Sequence, residues 1–194
     1  MVEKIVLELV NQMEEKEIIS NADGEYYAYA LITMIENTMT IGTMLVSGIL
    51  FRKFVYTICF LVLFLSLRTR TGGFHAEKFW QCYLGTVITY IAIMQVTPVL
   101  CKNMTVMYIL LFFAIILILV MGTINHPNMD MDKSELRESK KAARLLTLIE
   151  GILIAALVYL KADILYIGYM SVAVILCASL MCFAKIIKQE EKVE

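Results

Sequence analysis

One histidine and one cysteine stand seven residues apart in this chain, His75 and Cys82, within the stretch RTRTGGFHAEKFWQC that runs from Arg68 to Cys82. A thiol with an imidazole at hand is the pairing of a cysteine nucleophile with its general base. The same stretch holds Arg68, Arg70, Gly72, Gly73, Glu77 and Lys78. The glycine pair permits positive φ and close backbone approach, which suits a tight re-entry of the chain. On one unbroken helix a seven-residue separation puts both side chains on one face but about 10 Å apart along the axis, too far for a hydrogen bond. A dyad therefore requires a helix start between the two, or a fold-back at Gly72–Gly73. A third group usually orients the base, and Glu77, Glu36 and Glu150 are the carboxylates open to that role. By themselves, a lone His and a lone Cys in a loop are more often incidental than catalytic, since their spacing does not transfer between families.

The elements that must hold this stretch are apolar. Of 194 residues 60% are hydrophobic and the mean hydropathy is +0.74, against about 45–50% apolar residues in a soluble domain. That composition describes a membrane protein. A net charge of −1 leaves no basic field for a nucleic acid. Of five cysteines, Cys59, Cys177 and Cys182 lie inside apolar runs and Cys101 follows one; only Cys82 has charged and histidine-bearing neighbours. The odd count and the spacing argue against a disulfide framework or a zinc site. Met129-Asp130-Met131-Asp132 lacks the ligand count for a metal, so neither a cofactor nor a metal is expected.

We read residues 1–194 as a single integral-membrane domain, all-α and polytopic, with six transmembrane helices behind an N-terminal amphipathic helix. Within residues 1–20, Ile5, Val6, Leu9, Val10 and Met13 recur at helical spacing among glutamates. This segment is too charged for a signal peptide, and its acidic face favours packing on protein over attraction to anionic lipid. The six-helix bundle spans residues 26–187, in apolar runs of roughly Tyr26–Leu50, Phe54–Leu67, Phe79–Leu100, Val106–Ile124, Leu145–Leu160 and Ile164–Ile187. The second and fifth are short of the about 20 residues a span needs, and basic neighbours must lengthen them by snorkelling. Gly42, Ser47 and Gly48 offer the first span an early end, and Pro127 offers the fourth a stop. With the N-terminus inside, thirteen basic residues fall on the inner side and four on the outer. That bias gives an N-in, C-in topology and places the loop 68–82 on the cytoplasmic face.

The string Arg68-x4-Gly73-x-His75-Ala76-x5-Cys82 resembles the signature of the AgrB family, the accessory gene regulator B membrane peptidases. The chain length, the six spans, the amphipathic start, Phe79-Trp80 before the cysteine and the basic loop before the fifth span are similar too. The resemblance implies a cysteine endopeptidase of the bacterial cytoplasmic membrane that cuts a small quorum-sensing precursor peptide (AgrD-like) near its C-terminus. It implies that the peptide is held as a thioester and closed by an internal thiol or hydroxyl into a thiolactone or lactone. Carried over by motif, Cys82 is the nucleophile and His75 the base and acid, while Arg68 and Gly73 match positions on which the family's activity depends. Arg70 is displaced from the adjacent arginines of other members, and no motif role is carried over to it. The resemblance also implies a homodimer in lipid.

Family precursors end in an acidic part, and Arg70, Lys78, Lys140 and Lys141 are the cations that can receive it. Taken singly, each of these is better explained by ordinary positive-inside topology. Glu36 sits mid-run in the first span, where a carboxyl is a functional candidate by default, although a structural hydrogen bond between helices accounts for it as readily. Glu150 favours a structural role, and His126 an interfacial one. Two rival readings are a peptide transporter and a membrane adaptor without chemistry. The first lacks a nucleotide-binding signature, and only the first span carries an acid near its middle.

Overall fold

The computed structural model describes residues 2–16, 18–20, 24–74, 79–125 and 131–188. Among these residues the regular elements are all helices: α1 (Val2–Glu15), α2 (Gly24–Leu50), α3 (Phe54–Thr71), α4 (Phe79–Leu100), α5 (Met104–Met121), α6 (Lys133–Tyr159) and α7 (Ile164–Ile186). The all-α expectation holds. The six from α2 to α7 are long and apolar enough to cross a membrane, consistent with a multi-pass membrane protein.

The amphipathic start packs on protein. Val6 and Val10, one helical turn apart, are buried against Ala28, with Leu31, Ile32 and Ile35 beside them, in a small cluster separate from the main core. Gly24 opens α2 where a Cβ would strike the Glu14 carboxylate. From there α2 runs unbroken to Leu50, past the glycines that suggested an early end. Gly48 serves packing instead: a Cβ there would collide with the Thr57 side chain of α3.

Two spans that looked short are longer than their apolar runs. α3 continues through Arg68 to Thr71. α6 begins twelve residues before Leu145, at Lys133, so the basic segment expected as loop is helix. Its start is a capping box: Asp132 accepts from the Ser134 and Glu135 amides, and Glu135 returns a bond to the Asp132 amide. Bonds from Glu135 first, and then Ser134, hold the Asp132 carboxyl below the usual carboxylate range. α5 stops at Gly122 (φ 73), well before Pro127; Pro127 and His126 lie outside the described residues.

α7 is the hub of the bundle. It packs most extensively on α3 and α5 and also meets α4 and α6. Small residues permit this: Ala173, Ala178 and Ala184 are fully enclosed, and Gly168 leaves room for the Cys101 sulfur and for Thr97. Within α4, Pro98 has no N–H to give the Met94 carbonyl. Lys53 Nζ (2.5 Å) and Tyr169 Oη (3.1 Å) supply that carbonyl instead, as an apolar surrounding demands.

The bundle thus has two ends. One carries the turns 51–53, 101–103 and 160–163. The other carries the loops 72–74 and 122–125 with the starts of α4 and α6, and there Arg68 to Phe74 and Cys82 lie.

Candidate functional site

The last carbonyls of a helix have no partner in the helix itself, and at the end of α3 the fold supplies them one by one. Gly72 N–H bonds Arg68 O (3.3 Å), Thr123 Oγ1 (2.8 Å) and Ser139 Oγ (3.0 Å) both donate to Arg70 O, and Ile124 N–H bonds Thr71 O (2.9 Å). The chain then turns through Gly72 (φ 64) and Gly73 (φ 126). These are backbone states that suit glycine and strain other residues. Phe74 is fastened to α7: its N–H reaches Leu180 O (3.3 Å), and its ring meets Phe183 edge-on at 4.9 Å.

Arg68 closes this turn from within. Its planar guanidinium folds over the two glycines, donating through Nη1 to Gly72 O and through Nη2 to Phe74 O (2.6 Å). A Cβ on Gly73 would run into the same guanidinium. Arg68 and Gly73, singled out by motif, are therefore one device: the arginine needs the glycine's empty side, and the turn needs the arginine's fork.

Cys82 is half-buried near the start of α4 as described. Its thiol and that of the buried Cys177 are within electrostatic reach of the Arg68 guanidinium. The structure therefore brings Arg68, Gly72 and Gly73 together, with Cys82 near the start of α4 at the same end of the bundle. His75, Glu77 and Lys78 lie outside the described residues. The next residue of α4, Tyr83, bonds Thr43 of α2 through its hydroxyl (2.9 Å). Glu36, half-buried on α2, is seven residues before Thr43 and so shares its face.

The remaining candidates separate. Glu150 is buried on α6, where Ser66 Oγ of α3 donates to its Oε1 (2.5 Å). Its Oε2 has no partner among the described residues, and Cys177 lies within electrostatic reach. The Arg70 side chain is exposed, and its carbonyl is the part the fold uses. Lys140 lays its stem across Gly122, while Lys141 is exposed. Arg144 is committed to the end of α5 through Nε to Leu119 O (2.9 Å). Sequence reasoning missed Thr123, Ser139, Ser66 and Cys177. Isolated hydroxyls and a thiol in apolar surroundings carry no spacing that points to them.

The model of one protein family, described as AgrB: Accessory gene regulator B, matches residues 2–184 of the 194. Neither a curated protein nor a solved structure matches the chain.

Proposed function

The chain belongs to the AgrB family, whose members act in the processing of quorum-sensing peptides, and on that premise we propose that it is a cysteine endopeptidase and cyclase working through Cys82 and His75. The observation that carries this reading is the fastening of Arg68 and Gly73 into one turn, at the end of the bundle where α4 starts with Cys82. Residues over-determined in this way, with backbone in glycine-only states, gather where geometry must be kept for chemistry.

The reaction runs in two acyl transfers. Cys82 Sγ, its proton taken by His75, adds to the carbonyl carbon of the scissile peptide bond. The C–N bond breaks, His75 returns the proton to the leaving amine, and the peptide's N-terminal part remains as a thioester on Cys82. An internal thiol or hydroxyl of that part, deprotonated by His75, attacks the thioester carbon. The C–S bond breaks, Cys82 leaves as thiolate and takes back a proton, and the ring is closed. A half-buried sulfur favours this outcome over hydrolysis, because the acyl-enzyme must be shielded from water while the internal nucleophile approaches. Arg68 holds the turn that precedes His75 in the chain. The cations at this end, Lys141 among them, receive an acidic segment of the precursor from the cytoplasmic side. Homodimerisation belongs to the same proposal and rests on the family alone.

The test is co-expression with an AgrD-like precursor peptide, followed by mass spectrometry. Cys82→Ser and His75→Ala are expected to insert normally and to leave the precursor uncut. A cyclised product from Cys82→Ala would sink the reading.

A further inference from the structure

Two buried hydroxyls that belong to neither the motif nor the loop converge on one backbone atom of the site. Thr123, 1% exposed, lies after α5, and Ser139, 7% exposed, lies in the second turn of α6. Both donate to Arg70 O, at 2.8 and 3.0 Å. The next carbonyl, Thr71 O, takes Ile124 N–H at 2.9 Å. Three bonds thus tie the end of α3 to the segment 123–124 and to the basic arm of α6, immediately before the Gly72–Gly73 turn.

Local helix capping does not require this arrangement. A carbonyl has two lone pairs, and one donor satisfies it. Two hydroxyls from different elements on one oxygen fix its position in two directions. The partners are also one-sided: Ser139 lies between Glu138 and Lys140 on the arm that carries Arg137, Lys140 and Lys141. Movement of that arm is therefore passed directly to the backbone from which Arg68 and the glycine turn depart. Thr147, on the same buried face of α6, shows the contrast, since its hydroxyl bonds Ala143 O of its own helix (2.7 Å) and links nothing.

We propose that Thr123 and Ser139 are positioning residues for the catalytic turn, locking the end of α3 to the basic arm of α6 so that the turn before His75 is held in register with Cys82. The proposal rests on the cysteine-peptidase reading above. Neither hydroxyl touches the reacting atoms; both act through the backbone of Arg70.

The experiment uses the full chain in lipid nanodiscs with an AgrD-like precursor peptide as substrate. Thr123→Ala/Ser139→Ala is expected to lower kcat by about 10- to 100-fold with KM unchanged, the scale of a misplacement of about 1 Å remote from the chemistry. Thr123→Ser and Ser139→Thr, which keep the hydroxyls, are expected to restore kcat. Thr147→Ala is expected to leave it intact. In hydrogen exchange the Gly72 and Ile124 amides should lose protection in the double variant and keep it in Thr147→Ala. Unchanged kcat in the double variant, an equal loss in Thr147→Ala, or a rise in KM alone would overturn the positioning role. Cys82→Ala is scored in parallel. If it still processes the peptide, the underlying catalytic reading fails. If it is inactive while the double variant is normal, only the positioning role fails.

Discussion

The two ends of this bundle direct their polar contacts differently. At the end with turns 51–53, 101–103 and 160–163, connections are short and side chains do the capping. Asn103 and Asp163 cap their helices, Tyr169 and Lys53 satisfy Met94 O, and Tyr56 stacks on Tyr169. At the other end the fastenings converge on the backbone of residues 68–74, drawn from α3 itself, the segment after α5, α6 and α7. The first end holds helices together. The second holds a short piece of main chain in place, at a point where glycine backbone states are used. The difference teaches where geometry matters. Stability needs only satisfied groups, whereas chemistry needs atoms at fixed positions.

Variants can break or sharpen this contrast. The largest effect is expected at Gly73→Ala, which meets both a φ of 126° and the Arg68 guanidinium; processing should fall by about 100-fold or more while the chain still inserts. Arg68→Lys keeps the charge but cannot span both carbonyls, so it should lose nearly as much turnover, read by the same mass-spectrometric assay. Next comes a contrasting pair. Glu150→Gln keeps an acceptor for Ser66 and should be tolerated, whereas Glu150→Ala removes the bond between α3 and α6 and leaves Ser66 only Leu63 O of its own helix, at about 1–2 kcal/mol of stability, measured by thermal unfolding in lipid. At the far end Tyr169→Phe removes one of two donors to Met94 O and should cost about 1 kcal/mol without changing turnover. A loss of turnover there would erase the distinction between the ends. The smallest effect is Lys161→Gly. Lys161 sits at φ 54, and relieving it should raise stability by about 1 kcal/mol.

The sides of the membrane are open to a direct check. Cys101 is a poor reporter, being buried with its sulfur on Ile164 O. Lys161→Cys and Lys141→Cys replace exposed residues at opposite ends. An impermeant maleimide is expected to label the first in intact cells and the second only after permeabilisation. The reverse pattern would turn the bundle over.

The six spans were legible because each contains an apolar run that nothing else in the chain imitates. The first half of α6 was not, since Lys133 to Arg144 has the composition of a loop and becomes helix on the strength of its Asp132–Glu135 capping box. That signal was present in the sequence but weaker to the eye than the charge. The stop of α5 was misread for the same kind of reason: Pro127 is the more conspicuous breaker, but Gly122 takes the left-handed turn. In the candidate site, types and motif point to Cys82, Arg68 and Gly73, whereas the union of Arg68 with Gly73 was not legible. It depends on which way one guanidinium folds, and no periodicity encodes that. Thr123 and Ser139 become meaningful only when α5 and α6 are brought beside α3.

The central position of α7 has a consequence for how the protein is made. Synthesis proceeds from the N-terminus, so α3, α4, α5 and α6 enter the membrane before the helix that each of them packs against. Until α7 docks, its place between α3 and α5 stays open, and Phe74 lacks Leu180 O as a partner. The turn that precedes His75 is therefore completed only when α7 arrives. A nascent chain still at the translocon holds Cys82 but not the finished turn, which is complete only when α7 is in place.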